Sequence, residues 1–315
     1  MMGTPEILSI GEPMVEFCAS EIGRLGTVER FKRGWGGDTS NFIVAVARLG
    51  GCAGYLCRLG GDEFGRSFLD LWKREGVDAS KVVIGSGGFT AVYFISLKQD
   101  GGHDFTYYRA GAAASTYSYS DLDLAYVRGA KALHSSGITL AVSDSLREAS
   151  MVSMKEAKKQ GALVSFDINM RPKLWQTDVA RRSCEEAFTL CDIVFASMED
   201  VRTLYEIDEP RVAADKLESL GVGTVVVKHG AEGCLVSSGG ERFTSPGFSI
   251  DVLDTTGSGD SFDGAFVLAT LEGWEPKTAA SFANAVGALT ATGLGAVAPI
   301  PTREQALRLM KEQGH

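Results

Sequence analysis

The sequence predicts an α/β protein built on a mostly parallel sheet with helices on both faces. Short apolar runs alternate with helical stretches for most of the 315 residues, the pattern of strands joined by crossover helices. The 38 glycines exceed the usual level of roughly 7%, and many sit where an apolar run ends. At 44% hydrophobic and 23% charged, the composition is that of an ordinary globular chain, long enough to bury a core.

Ile7–Gly11 and Gly54–Leu59 read as strands. Between them Thr39–Leu49 has helical periodicity, with Thr39 or Ser40 as its cap. Gly65–Arg74 reads as a second helix. Leu133–Gly137, Ala162–Ile168, Ile193–Ala196 and Thr224–Lys228 are further buried strands. The stretches Ser145–Lys159, Asp178–Leu190 and Val212–Leu220 supply helices between them. The last third is helical over Ser258–Leu271, Thr278–Ala291 and Thr302–Met310. Two segments break the alternation. Glu16–Trp35 and Thr90–Arg109 are β-rich without helices, the second folded about an Asp100-Gly101-Gly102 hairpin signal. One domain is therefore expected over residues 1–315, with a small projecting sheet from roughly 12–35 and 88–115 acting as a lid.

The net charge of −9 argues against nucleic acid as a partner. No apolar run approaches the length of a membrane span. The N-terminus lacks a basic start followed by an apolar stretch, so no signal peptide is expected. The six cysteines form no C-x-x-C pair, and four scattered histidines offer no metal pair. A cytoplasmic protein with free thiols is expected.

Asp254-Thr255-Thr256-Gly257-Ser258-Gly259-Asp260 follows an extended segment and opens a helix. Free amides and the helix dipole make such a place an anion site, where glycines let a phosphate approach the backbone. Asp260 in the first turn, favoured there in its ionised form, can orient an attacking hydroxyl and take its proton. A glycine turn with an acidic cap accounts for the same spacing. Gly60–Ser67 nearly matches a P-loop, but Arg66 stands where Lys is required. Gly257-Ser258-Gly259 begins a dinucleotide fingerprint that Phe262 breaks.

Gly36-Gly37-Asp38-Thr39-Ser40-Asn41 precedes a helix, and Asp38 and Asn41 offer groups that sugar hydroxyls need. Arg109 ends a lid strand, and Arg171 follows a core strand in Asp167–Pro172. Each can form a planar fork to a carboxylate, or serve as a surface ion-pair partner. Lys228 begins a loop after a strand, with Gly230 and Gly233 behind it.

Together these motifs resemble the ribokinase-like, or phosphofructokinase-B type, carbohydrate kinases. GGDTSNFIVAVARLG (Gly36–Gly50) with LGGDEFG (Leu59–Gly65) is similar to that family's N-terminal signature, and DTTGSGDSF (Asp254–Phe262) to its C-terminal one, with Ser258 where Ala is usual. The resemblance implies a Rossmann-like body with a β lid and ATP-dependent transfer to a sugar hydroxyl. It makes Asp260 the catalytic base and the amides of Gly257, Ser258 and Gly259 the anion hole. Lys228, Gly230, Gly233 and Asn284 then border the nucleotide. Ser197-Met198-Glu199-Asp200 replaces the family's Asn-x-x-Glu, which leaves Ser197 near the nucleotide and Asp200 to organise a magnesium-bound water. Asp254 and Thr256 are the candidate ligands of a monovalent cation such as K+.

GGDT at Gly36–Thr39, YYR at Tyr107–Arg109 and DINMRP at Asp167–Pro172 look most like the 2-keto-3-deoxygluconate kinases of this family. That likeness implies that Arg109 and Arg171 hold a sugar-acid carboxylate, with Tyr93, Tyr107, Gly36, Gly37, Asp38 and Asn41 around the sugar. A neutral sugar would give two converging guanidiniums nothing to neutralise. Fructokinase or another neutral-sugar kinase is the alternative, and a non-catalytic sugar sensor a remote one. Exposed lid strands predict a homo-oligomer, a dimer or higher.

Overall fold

The computed structural model describes residues 5–85, 87–99 and 102–315. Along the chain run β1 (Ile7–Ile10), β2 (Met14–Ile22), β3 (Phe31–Gly36), α1 (Asp38–Arg48), β4 (Ala53–Leu56), β5 (Arg58–Gly60), α2 (Glu63–Glu75), β6 (Val83–Gly85), β7 (Val92–Leu97) and β8 (His103–Tyr108). The middle holds α3 (Leu124–Arg128), β9 (Ala132–Ser136), α4 (Gly137–Val142), α5 (Asp144–Lys159), β10 (Leu163–Asp167), α6 (Thr177–Phe188), β11 (Ile193–Ser197), α7 (Met198–Tyr205) and α8 (Pro210–Ser219). The rest comprises β12 (Thr224–Lys228), β13 (Cys234–Ser238), β14 (Glu241–Ser245), α9 (Ser258–Leu271), α10 (Pro276–Thr290) and α11 (Arg303–Gln313).

The main sheet has the order β14-β13-β12-β11-β10-β9-β1-β4. It is parallel from β12 to β4 and ends in an antiparallel extension through β13 and β14. Its parallel strands are buried on both faces, as a parallel sheet between helical layers requires. In β12, Val226 packs into the core beneath α1, α9 and α10, while Val225 and Val227 point into the opposite core with α5 to α8. A second sheet, β3-β2-β7-β8, comes from the two segments that broke the helical alternation. Tyr93 of β7 pairs with Tyr107 of β8 and with Glu16 of β2. The hairpin turn expected at Asp100-Gly101-Gly102 falls largely outside the described residues.

Two local differences from expectation have physical causes. The cap of α1 is Gly37, at φ 97°, rather than Thr39 or Ser40. Those hydroxyls are spent in the core: Thr39 shares a hydrogen bond with the Tyr55 hydroxyl at 2.8 Å, and Ser40 accepts from the Trp72 indole. A side chain at position 37 would also strike the Glu12 carbonyl oxygen. The near-P-loop at Gly60–Ser67 is a helix cap, in which Asp62 accepts from the Gly65 amide and the Thr90 amide.

Helix α9 is apolar nearly all round, with Phe262, Ala265, Phe266, Val267, Leu268 and Ala269 all buried. A helix of that character lies inside a protein rather than on it, and α9 packs between α1 and α10. Its N-terminus is thereby fixed relative to the N-terminus of α1. This is what places the site.

Candidate active site

The turn into α9 carries the arrangement expected of an anion site. Gly257 caps the helix in the left-handed region, at φ 80°, and a side chain there would meet the Ala296 carbonyl oxygen at 2.5 Å. The Ser258 amide donates to the Thr255 carbonyl at 3.1 Å, so it is engaged. Among the described residues the amides of Gly257, Gly259 and Asp260 have no acceptor. Asp254 shapes this turn: one oxygen accepts from the Thr256 amide and hydroxyl, at 2.9 and 2.6 Å, and the other from the Gly295 amide at 2.9 Å. Asp254 and Thr256, the candidate cation ligands, thus bind each other and tie two loops together.

Asp260 faces the start of α1, where the Asn41 side-chain amide donates to its Oδ2 at 2.7 Å. The dipole of α9 favours an ionised carboxylate at that position, but burial outweighs it. Burial, with Asp38 and Asp167 adding repulsion, pushes Asp260 up to about 7, against the pull of Asn41 and Lys228. A carboxyl tuned to neutrality is suited to accepting a proton. Asp260 is half-buried by exposed area, and Asp38 is buried. Its Oδ2 accepts from the Asn169 amide at 3.2 Å, while Oδ1 has no partner among the described residues. Asn169 itself is held at φ 39°, a conformation that costs a non-glycine residue and clusters at functional sites.

Tyr107 lies between the two arginines. The Arg171 guanidinium lies close enough to its hydroxyl to act on it electrostatically, and the Arg109 guanidinium stands 5.9 Å from its ring centre. The arginines differ in their partners. Arg109 forms an ion pair with Glu12, which is fully buried, and burial pushes the Glu12 carboxyl up to about 7 despite that cation. Arg171 donates to its neighbour's carbonyl, that of Met170, at 2.9 Å and has no ion-pair partner among the described residues. Asp200, Asp260 and Asp38 lie near enough to hold its charge. Tyr93 is buried, and its hydroxyl donates to Glu16 at 2.6 Å. Gly36 is the residue on which that hydroxyl rests.

On the other side of the α9 turn, the Lys228 ammonium is 3.1 Å from Asp167 Oδ2 and 3.0 Å from both oxygens of Asp263. Gly230 and Gly233 form the loop that follows, with a single turn of 3-10 helix between. Asn284 on α10 donates to the Ser245 carbonyl and hydroxyl and the Pro246 carbonyl, at 3.1–3.2 Å, which ties α10 to the end of β14. Ser197 and Asp200 form a reciprocal capping box on α7, and Asp200 also accepts from the Met170 amide at 2.6 Å.

The whole length of the chain is similar to known proteins. The model of the pfkB family carbohydrate kinases matches residues 4–303. The chain belongs to this family. It is 34% identical over 309 residues to a 2-dehydro-3-deoxygluconokinase of Thermoproteus tenax, covering 97% of this chain and 94% of that one. It is 33% identical over 329 residues to a probable fructokinase-5 of Arabidopsis thaliana, covering 99% of both. Among solved structures it is similar to a putative ribokinase II of E. coli in complex with ATP and Mg2+, at a TM-score of 0.91 and 26% identity over 98% of this chain and 99% of that one. Sugar kinases of the pfkB family use ATP and Mg2+. A hydrated divalent cation needs oxygen donors. Both Asp200 oxygens are already engaged, but Asp167 Oδ1 is buried without a partner among the described residues, so this corner of the pfkB site has a carboxylate oxygen to offer. No helix of the described residues is long and apolar enough to cross a membrane.

Four acidic residues of this site were not singled out from the sequence: Glu12, Glu16, Asp167 and Asp263. Asp167 stood in the quoted Asp167–Pro172 stretch, at the carboxyl end of a strand, and that position was the available signal. Nothing local marks the others, because their partners are distant in the chain.

Proposed function

We propose that this pfkB family kinase is an ATP-dependent sugar-acid kinase that phosphorylates the primary hydroxyl of 2-keto-3-deoxygluconate or a close relative. The observation that carries the reading is Arg171, a guanidinium beside Tyr107 that forms no ion pair among the described residues, with Asp200, Asp260 and Asp38 acting on it only from beyond contact. A substrate carboxylate completes it. The sugar then lies over Gly36, Gly37, Asp38 and Asn41, with Tyr107 at its side. Asp260 orients the primary hydroxyl and accepts its proton as the oxygen–phosphorus bond forms. The bond from the γ-phosphorus to the bridging oxygen breaks, and ADP leaves. The amides of Gly257 and Gly259, with the α9 dipole, receive the phosphoryl charge. Magnesium on the nucleotide neutralises phosphate charge when bound, and Asp167 Oδ1 would hold its water shell, the Asp200 oxygens being engaged with Ser197 and Met170. The sheet β3-β2-β7-β8 covers the site and excludes water. Its edges, β3 and β8, are where a second copy of the chain would pair.

The second reading is a fructokinase, and one contact favours it: Glu12 already neutralises Arg109, which reduces the positive charge left for a sugar acid. An ATP-consumption panel decides between them. Preference for 2-keto-3-deoxygluconate or its galacto epimer over fructose and ribose is expected. Preference for fructose, with indifference to both sugar acids, overturns the reading.

A further inference from the structure

Asp263 is fully buried on α9, one turn after Asp260, and its helix neighbours Phe262, Ala265 and Phe266 are apolar. A carboxylate in such a place is costly unless it is paired and hydrogen-bonded. It is paired, and among the described residues its hydrogen bonds go to one group: both of its oxygens lie 3.0 Å from the Lys228 ammonium, with Asp167 close by. The same ammonium bonds Asp167 at 3.1 Å and stands 5.7 Å from the centre of the Phe195 ring. A long, flexible side chain is thus held from three directions.

What it is held against is the α9 turn. A Cβ placed on Gly259 would lie 3.4 Å from the ammonium nitrogen. Gly259 has no side chain, so only backbone separates that charge from the turn whose free amides form the anion site. We propose that Asp263 is a positioning residue for phosphoryl transfer: with Asp167 it fixes the Lys228 ammonium behind Gly259, where its charge adds to the amides that receive the phosphoryl group. The inference rests on the kinase reading above. Asp263 touches no reacting atom and acts through Lys228.

A purely structural role makes a different prediction. Buried ion pairs contribute little to stability compared with apolar groups of the same volume, so a cluster kept for packing is replaceable without loss of turnover. A preorganised charge beside a developing anion is not. The two accounts separate in kinetics.

The experiment is a double-mutant cycle on turnover, with thermal melts run in parallel. Asp263→Asn is nearly isosteric and is expected to lower kcat by about 10–100-fold, the scale of a misplaced catalytic group, with KM for the sugar little changed. Lys228→Met is expected to lose at least as much. In the Lys228→Met background, Asp263→Asn should cost no further turnover, because its effect passes through the lysine. The pair Lys228→Met with Asp263→Leu refills the cluster with apolar volume, so it tests turnover in a folded protein should either single variant fold poorly. It should melt like the wild type and remain slow. Wild-type kcat in Asp263→Asn or in the refilled pair, or losses that multiply across the cycle, overturns the proposal while the kinase reading stands. A wild-type protein that turns over no sugar in the panel overturns both.

Discussion

The Asn41 side chain donates to the Asp260 carboxylate at 2.7 Å, joining the first turn of α1 to the first turn of α9 across 219 positions of sequence. The bond favours the ionised form of a carboxyl that burial holds near 7. Asp260→Asn should therefore remove most turnover, about 10²–10⁴-fold for the loss of a general base, while leaving ATP binding largely intact. Near-normal turnover in that variant would show that Asp260 is not the base.

The pH profile carries the same assignment. With Asp260 as the proposed base, turnover needs its ionised form, so kcat/KM should fall about tenfold per pH unit below the Asp260 pKa, with the acid limb near 7. Asn41→Leu removes a donor to the charged form and should move that limb upward. Asp38→Asn removes a neighbouring negative charge and should move it downward. Opposite displacement of either limb refutes the electrostatic account.

Arg171 and Arg109 make separate predictions because only Arg109 is paired with an acid. Arg171→Met should reduce kcat/KM for a sugar acid by about 10–150-fold, the equivalent of roughly 1.5–3 kcal/mol for a charged hydrogen-bond pair. It should change turnover of fructose far less. Equal losses on both substrates would mean that Arg171 holds the protein together rather than the carboxylate.

Glu16, on the small sheet, lies against Gly295, and burial pushes its carboxyl up to about 7. A raised carboxyl binds more protons in the folded than in the unfolded chain. Its contribution to stability is therefore complete at acid pH and declines as pH rises from about 4.5 to about 7. The limit of that decline is about 3 kcal/mol for a shift of this size. Glu16→Gln keeps an acceptor for Tyr93 and cannot ionise. Its melting temperature should match the wild type near pH 4 and exceed it at pH 8, and a variant equally sensitive to pH would sink the idea.

Much of the frame was legible in the sequence for local reasons. Helix α9 spans Ser258–Leu271 and β12 spans Thr224–Lys228, both as read, because glycines bound an apolar run at both ends of each. The hairpin of β13 and β14 was not read, since its short, partly polar strands resemble a loop until they meet β12. The cap of α1 was misplaced because the hydroxyls of Thr39 and Ser40 find partners on Tyr55 and Trp72. Candidate residues inside the signatures could be named from the sequence, whereas Asp263 could not. Its partner Lys228 lies 35 positions away, and an acid between apolar helix residues carries no local sign of what it holds.

Because α9 is packed on both sides by α1 and α10, the helix whose first turn carries the residue proposed as the base is anchored in the core along its body. Amides in the middle of this helix should exchange with solvent only through global unfolding. Heat should then abolish turnover when the core melts, not several degrees earlier as in enzymes whose reactive groups ride on loops. For this chain, an activity assay run against temperature doubles as a melting curve.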